Sequence, residues 1–137
     1  MHYLFDASSL LFLIRSTNEE RKMSVIKEGK VLDLTYYEIG NTLWKESNLL
    51  KSLSGDNLQK VEEAVKYCFQ NMESISLDTA DFGGILEIAR KEKLTFYESS
   101  YLYAAKKNNT VLVSEDKKLT HASRRYVKTM SVNSLNA

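Results

Sequence analysis

The chain has no proline, one cysteine and two histidines in 137 residues, and each shortage removes a class of explanation. Cys68 has no partner for an internal disulfide, which suits an intracellular protein. The thiolates and imidazoles of a zinc site are missing as well. Without proline, and with only five glycines, there is no Pro-rich or Gly/Ser-rich linker, low-complexity segment or internal repeat, so residues 1–137 read as one domain. Long apolar runs are missing: Leu10 to Ile14 is far short of the ~20 residues that span a bilayer. The start, Met1-His2-Tyr3-Leu4-Phe5-Asp6, lacks the basic residues and cleavage site of a signal peptide. The expected location is the cytoplasm, with no membrane partner. Excess charge is absent too, since 19 Lys+Arg against 18 Asp+Glu leaves a net charge of +1. Nucleic acid cannot be held by bulk charge at that balance, so any such contact must be local.

What the chain does have is a set of acids that end apolar runs: Leu4-Phe5-Asp6, Tyr36-Tyr37-Glu38, Phe96-Tyr97-Glu98 and Leu112-Val113-Ser114-Glu115-Asp116. A chain this long buries about 68% of its unfolded surface, enough for a core without staples. Periodicity predicts strands at Tyr3 to Phe5, Val31 to Leu34, Ile75 to Leu77, Thr110 to Val113 and Tyr126 to Val132. Helices are expected from Ala7 to about Thr17, Tyr36 to about Leu50, Asp56 to about Met72, Thr79 to about Glu92 and Phe96 to Lys107, with a short one after Ser114. The order β-α-β-α-α-β-α-α-β-α-β predicts an α/β three-layer sandwich with a central, mainly parallel, Rossmann-like sheet. The acids would then gather at the carboxyl edge of that sheet, where ligands bind in such folds.

Each acid also has a purely structural explanation. Thr35-Tyr36-Tyr37-Glu38 and Thr95-Phe96-Tyr97-Glu98 both fit the S/T-x-x-E capping box. Asp6 could be an N-cap, as could Ser114 or Asp116. Capping alone does not require all four acids at one edge. Two carboxylates a few ångströms apart repel by ~4 kcal/mol at an effective dielectric near 20, so a cluster calls for a cation. Oxygen-only donors suit Mg²⁺ or Mn²⁺, which suit phosphodiester chemistry.

At these residues the chain resembles the PIN-domain nucleases, and among them the VapC-type toxins of toxin–antitoxin pairs. The resemblance spans nearly the whole chain. It rests on Leu4-Phe5-Asp6-Ala7-Ser8-Ser9-Leu10, Glu38-Ile39-Gly40-Asn41-Thr42-Leu43-Trp44, Tyr97-Glu98-Ser99-Ser100-Tyr101-Leu102 and Ser114-Glu115-Asp116-Lys117-Lys118-Leu119. At position 98 the family usually has Asp; the extra methylene of Glu displaces the carboxylate by about 1.5 Å.

The resemblance implies a PIN-like fold and a Mg²⁺- or Mn²⁺-dependent endoribonuclease. Asp6, Glu38, Glu98 and Asp116 would be both metal ligands and catalytic residues, with Ser114, Ser8 and Glu115 in supporting places. It also implies an RNA substrate, a homodimer and a groove for an antitoxin. Leu10 to Ile14, together with the Leu58 to Met72 stripe and Trp44, carry more apolar surface than one sheet face is expected to cover. Lys117, Lys118, Arg124, Arg125 and Lys128 form a basic run near Asp116 that suits a phosphate track or equally a solvated face, and Tyr36, Tyr37, Tyr97 and Tyr101 are of a kind that stacks on unpaired bases, although tyrosines at helix starts more often pack. His2 and His121 have no partners at ligand spacing, and Cys68 falls in an apolar stripe. Two other readings exist. A non-catalytic PIN-fold module binding RNA or protein would follow from the substituted third acid. A phosphoacceptor receiver domain has a similar element order, but it needs an acid pair after the first strand and a Lys after the last, neither of which fits.

Overall fold

The computed structural model describes residues 1–135. Five parallel strands form one sheet in the order β3-β2-β1-β4-β5: β1 (Tyr3–Phe5), β2 (Gly29–Leu32), β3 (Glu73–Ile75), β4 (Val111–Val113) and β5 (Thr129–Met130). The helices are α1 (Ala7–Ile14), α2 (Glu19–Lys27), α3 (Asp33–Trp44), α4 (Gly55–Asn71), α5 (Phe82–Glu92), α6 (Phe96–Asn108) and α7 (Lys117–Ser123). This is the three-layer α/β architecture, with a parallel central sheet, expected from the element order.

Alternation along the strands divides the core, because successive side chains point to opposite faces of a sheet. Tyr3, Phe5, Val31, Val111 and Val113 pack with Leu10, Leu13, Ile39 and Cys68 on one side. Leu4, Leu32, Ile75 and Leu112 pack with Leu94, Leu102 and Leu119 on the other. Gly29 opens β2 at a close approach, where a Cβ would meet Met72 Cε at 2.5 Å and Phe5 Cε2 at 3.1 Å.

Several boundaries differ from the sequence expectation. The first helix ends at Ile14, and α2 follows as an element the pattern did not predict. Only Val25 and Ile26 of its nine residues are buried, so it has no apolar stripe; it is held instead by an Asn18 cap that accepts from Arg21 N at 3.0 Å. β2 lies two residues earlier than expected, and α3 therefore starts at Asp33. Thr35 is then inside the first turn, its Oγ1 accepting from Leu32 N at 3.1 Å, so the expected Thr35–Glu38 capping box does not form. β3 is also two residues early, and β5 shrinks to Thr129–Met130 before a 3₁₀ turn at Val132–Ser134. α5 begins at Phe82 rather than Thr79, because the Asp81 carboxylate accepts from Asp78 N at 3.0 Å and holds that segment in a turn.

The apolar run of α1 is mostly spent inside the core. Leu10, Leu11, Leu13 and Ile14 are buried, and only Phe12, at 43% exposed, projects outward.

Candidate active site

The chain reverses direction across the sheet between β1 and β4, neighbours in the sheet but distant in sequence. In an open parallel sheet, such a switch point leaves a crevice at the carboxyl ends of the strands. Asp6 follows β1 directly there, and Ser114, Glu115 and Asp116 follow β4. A cavity of about 550 Å³ opens at this point, and Asp6, Glu38, Glu98 and Asp116 all line it, with Ser8 and Glu115. The four predicted acids thus share one pocket.

Each is held by its local backbone. Asp6 caps α1: its Oδ1 accepts from Ser9 N at 2.9 Å and from Ser8 Oγ at 3.0 Å, and its Oδ2 accepts from the Ser114 hydroxyl. That last bond crosses from β4 to β1 and joins the first and fourth motifs. Asp116 caps α7, with Oδ1 accepting from Leu119 N at 3.1 Å, while Ser114 Oγ accepts from Asp116 N at 3.0 Å. Capping and pocket lining therefore coexist in Asp116, whose cap uses one carboxylate oxygen and leaves the other, whereas Ser114 takes the second oxygen of Asp6.

Glu98 completes the capping box foreseen for it, Oε1 accepting from Thr95 N at 2.9 Å while Glu98 N donates to Thr95 Oγ1 at 3.0 Å. Glu38 does no capping. Its Oε1 accepts from Tyr101 OH at 2.7 Å, and the same phenol lies 2.9 Å from Thr35 Oγ1. Burial raises the Glu38 carboxyl above its ordinary range; the Tyr101 hydrogen bond opposes this, and the charges of Asp6 and Glu98 add to it. Of the two roles open to Tyr101, stacking and packing, the structure shows packing: it is 2% exposed and supports Glu38 from within the core. Tyr36, Tyr37 and Tyr97 are exposed.

The donor set is all oxygen, and Glu38, Glu98 and Asp116 each keep one oxygen without a hydrogen-bond partner among the described residues. As the side chains are turned, no three His, Cys, Asp or Glu residues among those described stand close enough to enclose one ion. The site is open rather than a cage. The chemistry of the donors, rather than their present spacing, fits a cation such as Mg²⁺, which takes oxygen ligands and keeps several waters.

Sequence reasoning missed the rest of the α3 wall. Asn41, Thr42 and Lys45 line the pocket beside Glu38. The available signal was the i, i+3, i+4, i+7 spacing from Glu38 to Lys45. Within the basic run, Lys117 and Arg124 line a neighbouring cavity, whereas Arg125 is ion-paired with Glu92. Cys68 is buried in α4, and burial pushes its thiol up to about 11, so it is a core residue and no nucleophile.

No family model matches the chain. Individual relatives do. Exonuclease VapC9 of Pyrobaculum aerophilum is 34% identical over 122 residues, 87% of this chain and 84% of that protein. Ribonuclease VapC3 of the same organism is 29% identical over 130 residues, covering 87% and 92%. Among solved structures, PAE2754 from Pyrobaculum aerophilum superposes with a TM-score of 0.80 at 27% identity, covering 97% of this chain and 92% of that one. FitAcB from Neisseria gonorrhoeae shares the fold, with a TM-score of 0.63 at 14% identity and coverage of 97% and 99%.

Proposed function

Because the chain belongs to the VapC family of PIN-domain nucleases, we propose that it is a metal-dependent endoribonuclease acting as the toxin of a toxin–antitoxin pair. The observation that carries this reading is the shared pocket of Asp6, Glu38, Glu98 and Asp116 at the sheet's switch point. With their side chains turned inward, those four carboxylates would hold one or two Mg²⁺ or Mn²⁺ ions. Such an ion acidifies a bound water, orients it and neutralises charge developing on a phosphodiester.

The chain's own residues supply orientation. Ser114 and Ser8 donate to Asp6 and fix both of its oxygens, and Tyr101 holds Glu38. Glu115 is directed elsewhere, accepting from Val132 N at 2.7 Å. Lys45 lines the same pocket, and Glu115 lines both it and a second cavity.

Trp44, Leu49 and Leu50 stand 48%, 61% and 71% exposed beside α3. Together with Phe12 they are the apolar surface we assign to a second copy of the chain and to an antitoxin segment. No helix among the described residues is long and apolar enough to cross a membrane, and the cytoplasm, where RNA and a translation target are found, is the proposed location.

One observation favours the other reading, a PIN-fold module that binds without cutting: Glu98 already spends an oxygen on its capping box. A single experiment separates the two. Cleavage of single-stranded RNA is measured with Mg²⁺ or Mn²⁺, with chelator, and in Asp6→Asn and Asp116→Asn. Asn is as good an N-cap as Asp, but the amide of Asp6→Asn cannot accept from both Ser9 and Ser114 as the Asp6 carboxylate does, so a thermal melt of each variant accompanies the rates; with the fold retained, each is expected to lose at least about 10²-fold in rate. Activity that survives chelator or either substitution overturns the metal-dependent mechanism, and a native chain that cuts no RNA with either metal overturns the nuclease reading in favour of the binding module.

A further inference from the structure

A row of carboxylates repels the polyanion it is to cut, and a net charge of +1 offers no bulk attraction to offset that repulsion. The attraction must come from cations placed beside the acids. The structure has two such places, one on each side.

The first is on α3. Glu38, Asn41, Thr42 and Lys45 occupy one helical face along the pocket, so Lys45 sits two turns beyond Glu38, roughly 10 Å along the axis. It opens a π-helical turn over Lys45–Leu49, in which Leu50 N donates to Lys45 O at 2.9 Å. Such turns recur at functional sites. The adjacent acid, Glu46, is occupied by Arg15. Among the described residues Lys45 itself has no carboxylate partner.

The second is beyond β4. Glu115 lines both the carboxylate pocket and a cavity of about 330 Å³ whose walls include Lys117, Arg124, Ser131 and Ser134. The Glu115 carboxylate accepts from Val132 N and makes no ion pair with Lys117 or Arg124 among the described residues. Lys117 and Arg124 are exposed and have no acid partner among the described residues.

We infer that Lys45 on one side, and Lys117 with Arg124 on the other, are phosphate seats that hold a single RNA strand across the carboxylate pocket. The inference rests on the nuclease reading for the identity of the polyanion. Its own content is that the strand engages both sides at once and that the seats bind backbone, not bases, because ammonium and guanidinium groups beside hydroxyls recognise phosphate whatever the sequence. Each phosphate neutralised on a single strand adds about 0.7 to the slope of log affinity against log salt.

The test is fluorescence anisotropy with a labelled, unstructured oligoribonucleotide of ~12 nucleotides, in chelator, across a salt series. The proteins are the native chain, Lys45→Ala, the Lys117→Ala/Arg124→Ala double variant and Lys60→Ala, which removes a charge from the exposed surface of α4. All the substituted positions are exposed, so thermal melts are expected to match. Lys45→Ala should weaken binding by about tenfold and lower the slope by about 0.7. The double variant should lower the slope by about twice that, while Lys60→Ala follows the native chain. The inference is overturned if either seat's variant matches Lys60→Ala in affinity and slope, or if the native chain does not bind the strand. Cleavage with Mn²⁺, measured separately, keeps the two claims apart. Salt-dependent binding through both seats with no cleavage by the native chain sinks the nuclease reading and leaves the seats standing. Cleavage at native KM by both seat variants does the reverse.

Discussion

Tyr101 reaches across from α6 to donate its hydroxyl to Glu38 on α3, 2.7 Å from Oε1, and so ties the second acid of the site to the helix that carries the third. Burial holds the phenol above its ordinary range, so it remains a donor at every working pH. Glu38 is already raised above its ordinary value of 4.5 by burial, and Tyr101 is what restrains that rise. Tyr101→Phe should therefore push Glu38 higher and move the acid limb of the pH–activity profile to higher pH. The sign for stability follows from linkage. A carboxyl raised in the folded state favours the fold below its unfolded value, and that contribution is lost as pH rises through the folded value. The metal-free variant should accordingly lose more stability at neutral pH than at pH ~4. An unshifted acid limb would show that Glu38 does not need its charge.

Glu98 has two roles that Gln separates. A capping box accepts Glu or Gln equally well, whereas a cation needs the charge. Glu98→Gln is expected to melt near the native temperature, within about 1 kcal/mol for the lost charge at the helix start, and to lose activity. Glu98→Ala should lose both, since Thr95 N is left without its acceptor. Native turnover in Glu98→Gln would make the residue purely a cap.

Asp81 predicts an acid-sensitive stability far from the pocket. It is 2% exposed and accepts from Asp78 N, Lys107 Nζ and Tyr103 OH, which together hold its carboxyl down from 3.8 to about 2. A depressed carboxyl contributes stability that is present above its unfolded value and is lost as pH falls through the folded one. Melting temperature should therefore drop between pH ~4 and ~2, and the drop should be smaller in Asp81→Asn. Equal acid sensitivity in both proteins would place the effect elsewhere.

Phe12 is the one outward side chain of an otherwise buried α1 run. Phe12→Glu should keep the fold, because Phe12 lies outside both buried core clusters, and should reduce self-association measured by sedimentation. A native chain that sediments as a monomer at high concentration would leave that surface to the antitoxin alone.

Composition, periodicity and the positions of acids after apolar runs were enough to predict a parallel α/β sheet with four carboxylates at one edge. Those features are written locally: alternation and helical spacing lie within single elements, and Asp6 and Asp116 are recognisable as caps from their immediate neighbours. Helix α2 escaped because only two of its nine residues are buried, so it carries no apolar stripe and its one local signal was the Asn18 cap. The register of β2 was set by its pairing with β1, which moved the start of α3 to Asp33 and removed the expected box at Glu38. Likewise, no local pattern separates an exposed stacking tyrosine from Tyr101, which is 2% exposed, or a free Lys117 from an Arg125 paired with Glu92. Partners 63 and 33 residues away along the chain decide those roles. The sequence by itself determined which residue types reach the sheet edge, because secondary structure is dictated by near neighbours. Only the tertiary structure decided which atoms of those residues are already spent on hydrogen bonds and which remain for a ligand, because that depends on contacts made after the chain has closed on itself.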